Sequence, residues 1–182
     1  MKFKSVGLKR GTVKLVPHDR RWKALFERER QRLLASLKGS VIDIQHIGST
    51  SIPGTPAKPI IDISMGIRSM KDSKKFVKRM RTLGYEWRPK FGGERIQLLF
   101  VKGKESNRTH YLHLMKYGGS LWRNDLFFGD YLRTHKNRAT KYAALKRRLA
   151  NRHADDRATY TKRKARFILD TIKLAKRLGR RI

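Results

Sequence analysis

The residues best suited to chemistry lie within 46–63, in the segment HIGSTSIPGTPAKPIIDI. Gly48 and Ser49 follow an apolar run and offer small side chains and free backbone N–H groups at a tight turn, an arrangement that binds anions. Asp62 then interrupts a second apolar run, where a carboxylate needs a partner or a function. The segment therefore predicts an anion-binding turn beside a carboxylate.

The elements that position this segment follow from hydrophobic periodicity and from turn residues. We expect an N-terminal helix after Asp19 that packs one face on the core through Trp22, Leu25, Phe26, Leu33, Leu34 and Leu37 and ends at Gly39. Strands are predicted over 12–16, 41–47, 60–67, 85–88, 95–102 and 109–116. Further helices are predicted over 69–83, 121–134, 138–151 and 155–178. This order gives an α+β fold, a mixed sheet with packed helices.

The length of 182 residues suits a single domain, 1–182, with a sheet-containing core over about 12–116 and a helical C-terminal part over about 120–178. Cysteine is absent, which excludes disulfides, thiol nucleophiles and cysteine zinc sites. No apolar run reaches membrane-spanning length and no secretory signal is evident, so we expect a cytoplasmic protein that does not insert into membranes.

The charge balance predicts an anionic partner. The chain has 46 Lys and Arg against 14 Asp and Glu, a formal net charge of +32. Because acids are so scarce, most cations lack a partner within the chain, and nucleic acid, RNA above all, is the natural counterpart. The alternative is a basic overall composition without a dedicated ligand.

Several motifs together resemble one family. HIGSTSIPG and AKPIIDI precede the HYLHL strand, and FFGDYLRTH, YAALKRRLA and YTKRKARF follow it. In this order they resemble the GrpB family, a branch of the DNA polymerase beta-like nucleotidyltransferase superfamily. The resemblance covers about residues 16–175. It implies a nucleotidyltransferase-like fold and transfer of a nucleotidyl group from a nucleoside triphosphate to an unidentified acceptor.

The resemblance also implies a metal site at Asp62. Nucleotidyl transfer uses divalent ions, Mg²⁺ or alternatively Mn²⁺, on a carboxylate cluster that usually contains an Asp-x-Asp pair. Here Ser64 stands where the second acid is expected, on the same strand face as Asp62. Replacement acids are Asp43, Glu94 and Asp130.

Asp130 and Arg133 belong to the FFGDYLR segment, in which Gly129 replaces the arginine usual in the family. Asp130 is the second candidate metal ligand and Arg133 a phosphate contact. Equally, the two residues form a helix-face pair at i, i+3 spacing.

Four basic residues, two near the turn and two on the HYLHL strand, have open roles. His46 contacts a phosphate or holds the turn, and Lys58 holds a phosphate or offsets the charge of Asp62. His110 and His113 point to opposite faces of a strand, so at most one faces the Asp62 pocket.

Helical spacing and the family resemblance together indicate one further group, in which a Tyr is followed by a Lys at i+4: Tyr142, Lys146, Tyr160 and Lys164. These residues form an aromatic and cationic wall that stacks a base and holds a triphosphate. Alternatively, the tyrosines pack in the core and the lysine side chains extend outward to solvent.

Three functions remain open at this level. The first is a metal-dependent nucleotidyltransferase in which Gly48 and Ser49 hold the triphosphate and Asp62, with Ser49, serves the reaction. The second is a catalytically reduced module that binds a nucleotide or another phosphorylated small molecule and docks RNA on its basic surface. The missing acid at Ser64 favours this second function. A structural protein that assembles with nucleic acid leaves the Gly-Ser and Asp motif unexplained.

Overall fold

The structure, a computed structural model, describes residues 5–89 and 96–179. Its centre is a five-stranded sheet in the order β1-β2-β5-β4-β3. Strands β2 and β5 are parallel, and the other neighbouring pairs are antiparallel. The mixed sheet expected from the sequence is thereby confirmed. The strands are β1 (Asp43–Ile47), β2 (Ile61–Ile67), β3 (Tyr85–Trp87), β4 (Gln97–Lys102) and β5 (His110–Lys116).

One face of the sheet is covered by α1 (Arg21–Ser36) and α2 (Lys75–Thr82). Alternate strand residues such as Ile63 and Leu112 point to this side and form the main apolar core with Trp22 and Phe26 of α1. Burial of these large side chains stabilises the sheet from one side. The intervening residues of the same strands, which include polar ones, point to the opposite face.

The second face is covered by α3 (Ser120–Thr134), α4 (Lys136–Arg152) and α5 (Arg157–Gly179). These helices share an apolar cluster that includes Phe128, Tyr142 and Ile172 and takes in Ile52 from the β1–β2 connection. Gly66 of β2 allows α3 to approach closely, because a Cβ there would lie 3.0 Å from the Trp122 ring. The helical layer is thus held against the face of the sheet that carries Asp62.

The N-terminal prediction is wrong in one respect. Residues 12–16 form no strand, and Val16 makes a single bridge to Ala57. Val13 instead packs against Leu149, Ala150 and Tyr160, so tertiary contacts with α4 and α5 replace strand pairing. Asp19 does serve the start of α1, since its carboxylate accepts a hydrogen bond from the Arg21 N–H.

Two other boundaries differ from the prediction. The segment expected as one helix over 69–83 divides into a short 3-10 turn (Met70–Asp72) and α2. The predicted strand over 95–102 is observed as β4, and Arg95 and Glu94 lie outside the described residues. No helix in the described ranges has the length and apolar character required to cross a membrane.

Candidate functional site

Asp62 lies in a cleft of about 430 Å³ between the sheet and the helices α3, α4 and α5. Its carboxylate packs directly on Gly48, where an added Cβ would lie 2.5 Å from Asp62 Oδ2. Gly48 has φ +68° and ψ −169°, a conformation that is essentially restricted to glycine. Because Gly48 has no side chain, the turn packs directly against the Asp62 carboxylate.

The turn continues into a 3-10 helix, Ser49–Ser51, whose Ser49 and Thr50 also line the cleft. Ser51 Oγ donates to the Gly48 carbonyl at 2.8 Å and closes the turn. The backbone N–H groups of Ser49 and Thr50 have no acceptor among the residues that the structure describes. The turn therefore presents free donors next to Asp62, as an anion-binding turn requires.

Asp125 of α3 is the second carboxylate of the cleft, and the sequence analysis did not select it. Ser64 shares the strand face of Asp62, as predicted, and its Oγ donates to Asp125 Oδ2 at 2.7 Å. Burial raises the pKa of Asp125, and the neighbouring Asp62 acts in the same direction. The hydrogen bond from Ser64 and the nearby His113 oppose this rise. Helix α3 thus places a second carboxylate, that of Asp125, next to Ser64, where the sequence of β2 has no second acid.

A readable signal for Asp125 existed in the sequence. It lies three residues after Trp122 and three before Phe128, both of which are buried in α3. Helical periodicity therefore puts Asp125 on the buried face, and a carboxylate on such a face needs a function or a partner.

The two histidines of β5 face opposite sides of the sheet, as their spacing predicts. His113 lines the cleft with Tyr111. His110 lies beneath the other face, where burial lowers its pKa to about 4 and its Nδ1 lies 2.9 Å from Thr109 Oγ1. His113 is therefore the histidine that belongs to the candidate site.

Three cations, Lys58, Arg157 and Lys164, line the same cleft. None has a carboxylate within 4.0 Å among the described residues, and Lys58 forms no ion pair with Asp62. Burial lowers the pKa of Lys58 to about 7, with Lys164 and Arg157 acting in the same direction and Asp62 against it. Arg157, the first residue of α5, was not selected from the sequence.

The Tyr and Lys pairs separate into two environments. Tyr142 lines the cleft but is 2% exposed, and Lys146 is buried behind it and donates to the Pro56 carbonyl. Burial lowers the pKa of Lys146 to about 6. Tyr160 is buried beneath Lys58 and Lys164, whose Nζ atoms lie 5.9 and 5.1 Å from its ring centroid. Both tyrosine rings are therefore buried beneath lysines and do not offer an open surface on which a base could stack.

The remaining predicted residues lie outside the cleft lining. Asp130 and Arg133 form an ion pair at 2.9 Å on the α3 surface, and the Asp130 side chain is 70% exposed. Asp43 accepts hydrogen bonds from the Ile44 N–H and from Gln45 Nε2. His46 stacks on Phe26 and lies 3.0 Å from Thr50 Oγ1. Burial lowers the His46 pKa to about 4, so a neutral ring holds the turn.

The acids of the cleft suit a hard cation that shares its coordination with a ligand. No group of three or more His, Cys, Asp or Glu residues within the described ranges has the arrangement of a metal site. Mg²⁺ commonly binds through one or two carboxylates together with substrate phosphates. Asp62 and the phosphates of a ligand beside the Ser49 turn fit that pattern. The described residues do not form a preformed metal site made of protein ligands alone.

Known proteins place this chain in one family. A sequence profile described as GrpB protein matches residues 12–174. The Glutamate-rich protein GrpB of Alkalihalophilus pseudofirmus is 37% identical over 166 residues, which cover 90% of this chain and 95% of that protein. The UPF0157 protein YqkA of Bacillus subtilis is also 37% identical, over 91% of this chain and 48% of its own length.

The fold agrees with a solved structure. The crystal structure of conserved protein GrpB from Enterococcus faecalis superposes with a TM-score of 0.81 and 32% sequence identity, over 89% of this chain and 96% of that chain. The name glutamate-rich does not describe the present sequence, in which 14 of 182 residues are Asp or Glu. The profile match, the relatives and the shared fold establish that the chain belongs to the GrpB family.

Proposed function

We propose that this protein transfers a nucleotidyl group from a nucleoside triphosphate to an acceptor hydroxyl with the help of a divalent cation. The observation that carries the proposal is that one cleft brings together Asp62, packed on Gly48 of the turn, and Asp125. Three cations that have no carboxylate within 4.0 Å among the described residues line the same cleft. Carboxylates beside a surplus of positive charge suit a metal-bound phosphate chain.

In the proposed reaction the acceptor oxygen forms a bond to the α-phosphorus, and the bond from that phosphorus to the bridging oxygen of the β-phosphate breaks. Pyrophosphate leaves. Mg²⁺ or Mn²⁺, when bound, neutralises charge that develops on the phosphate oxygens. Asp62 would hold this ion, and its close packing against Gly48 would limit the positions open to the carboxylate.

Asp125 is the proton acceptor in this proposal. Its Oδ2 is engaged by Ser64, which leaves Oδ1 to take the proton of the acceptor hydroxyl. A carboxylate with a raised pKa is a stronger base than a free aspartate. Ser64, at the position where the Asp-x-Asp pattern would have its second acid, thus has a positioning role in this proposal.

A second function, a phosphate-binding module that docks RNA, draws on the outer surface of the helices. Helices α4 and α5 contain fifteen Lys and Arg residues and one acid, Asp170. Eleven of these cations are exposed, and in the described structure Arg166 alone of them has a carboxylate within 4.0 Å. We propose this surface, the outer face of α4 and α5, as the RNA contact, either for an acceptor RNA or for docking without turnover.

Turnover separates the two functions. The protein is incubated with each of the four labelled nucleoside triphosphates, Mg²⁺ or Mn²⁺ and mixed cellular RNA, and pyrophosphate release and label transfer are both measured. The transferase proposal expects metal-dependent release from at least one triphosphate, abolished by a chelator. Binding of triphosphate and of RNA without any release would overturn transfer and support the binding module.

A further inference from the structure

Three basic residues of the cleft, Lys58, Arg157 and Lys164, are here called the cation wall. Their positive charge is not offset by nearby carboxylates of the described residues. Each residue lines the cleft and lacks a carboxylate within 4.0 Å among the described residues. The three groups also affect one another, since Lys164 and Arg157 both act to lower the Lys58 pKa. Like charges that converge without a counter-ion are unfavourable unless an anion joins them.

Two buried tyrosines hold this wall in place. The Arg157 guanidinium lies 4.8 Å from the Tyr111 ring centroid, and Lys58 and Lys164 both lie over Tyr160. Cation–π contacts orient a cation without neutralising it. Arg157 Nε is buried and has no hydrogen-bond partner in the part of the chain that the structure describes. The tyrosines therefore hold the wall in place without supplying the hydrogen-bond acceptors and negative charge that an anion would supply.

The cleft consequently holds groups of both signs. Asp62 and Asp125 are its carboxylates, and the cation wall supplies its positive charge. A chain of phosphates matches this combination, because one phosphate would reach the carboxylates through a metal ion while the others contact the cations directly.

We propose that Lys58, Arg157 and Lys164 form a polyphosphate subsite that binds the β- and γ-phosphates of the nucleotide and does so without a metal ion. This deepens the proposed function and rests on it for the identity of the natural ligand. Free tripolyphosphate has the same chemistry as the nucleotide's phosphate chain. It is therefore expected to bind the subsite by itself, whereas adenosine monophosphate lacks the groups that the wall contacts.

The test is calorimetric titration of inorganic tripolyphosphate, ATP and adenosine monophosphate into the full chain with EDTA present. We expect tripolyphosphate and ATP to bind with similar affinity and the monophosphate at least roughly tenfold more weakly. Arg157→Gln and Lys164→Gln should each weaken tripolyphosphate binding by about tenfold or more. Lys162→Gln is the matched control, because Lys162 is exposed on the same helix and is outside the cleft lining.

A second variant keeps the proposal independent of any effect on folding. Asp62→Asn removes a negative charge from the cleft, so it should tighten metal-free tripolyphosphate binding while it abolishes metal-dependent turnover. Equal weakening by Lys162→Gln would mean that the net charge alone attracts the anion, and the subsite would be rejected. Unchanged affinity in both Arg157→Gln and Lys164→Gln would also reject it. Metal-free binding without pyrophosphate release would retain the subsite and reject transfer.

Discussion

Gly48→Ala isolates the geometric link between the turn and the carboxylate. The new Cβ would lie 2.5 Å from Asp62 Oδ2, whereas ordinary contacts begin at 3.4 Å, so the carboxylate must retreat by about 0.9 Å. A misplacement of about 1 Å near reacting groups costs on the order of 100-fold in rate. We therefore expect pyrophosphate release to fall by about that factor.

The same substitution has a separate effect on stability. Placing alanine at the Gly48 conformation costs about 1–3 kcal/mol, a loss that a domain with roughly 5–15 kcal/mol of stability survives. Gly54→Ala is the matched control, because Gly54 has φ +72° on the same connection and a Cβ there meets nothing within 4 Å. Its backbone strain is about 1–2 kcal/mol, without any effect on Asp62.

Urea unfolding measures the stability of both variants, and steady-state pyrophosphate release measures their activity. The expected pattern is a comparable loss of stability in both variants and a loss of activity in Gly48→Ala alone. If Gly48→Ala retains the activity of Gly54→Ala, the contact between Gly48 and Asp62 does not position a catalytic carboxylate, and the reasoning fails.

Three further predictions follow from individual groups. Asp125→Asn should lower single-turnover pyrophosphate release by about 100-fold or more while nucleotide affinity changes less than about tenfold, because it removes a proton acceptor; unchanged turnover would contradict this role. Lys146 is neutral in the folded state at pH 7 and protonated when unfolded, so the unfolded chain binds more protons between its folded pKa of about 6 and its unfolded pKa of 10.5, and stability rises with pH in that window. Lys58, with a folded pKa of about 7, adds to the gain over the same window, so the Lys146 part is the difference between two variants: urea unfolding at pH 7 and pH 9 should show a gain about 2–3 kcal/mol larger in the exposed control Lys141→Met than in Lys146→Met; an equal gain in both variants would refute the assignment. RNA affinity, measured by filter binding, should fall by roughly tenfold or more between 50 and 200 mM salt, and Lys173→Gln on the outer face of α5 should reduce the salt dependence; a flat salt response would count against phosphate contacts.

Strand alternation and turn preferences predicted the features that depend only on residues close together in the sequence. Strand alternation placed Ser64 on the face of Asp62 and separated His113 from His110, and the structure has both arrangements. The Gly-Ser turn was readable because glycine is the usual residue where the backbone takes a positive φ, and Gly48 follows directly on an apolar strand. These features follow from covalent geometry, which the sequence specifies directly.

Residues supplied by docking of the helices could not be read with the same accuracy. Asp125 reaches β2 because α3 packs close to Gly66, and Arg157 enters the cleft because α5 begins beside Tyr111. Lys146 was expected in a cationic wall of the cleft or, alternatively, pointing outward, but the structure buries it against the Pro56 carbonyl. Side-chain spacing shows which residues share a helix face, whereas the direction of that face depends on tertiary packing.

The central claim concerns the Asp62 carboxylate, and one comparison tests it most directly. Pyrophosphate release is measured for the wild-type protein, Asp62→Asn and Asp130→Asn under the same metal and nucleotide conditions. Asp130 is the control because its side chain is 70% exposed in an ion pair with Arg133 on the α3 surface, outside the cleft lining. We predict that Asp62→Asn abolishes metal-dependent release and that Asp130→Asn retains it. Equal release by the wild-type protein and Asp62→Asn would contradict the proposal.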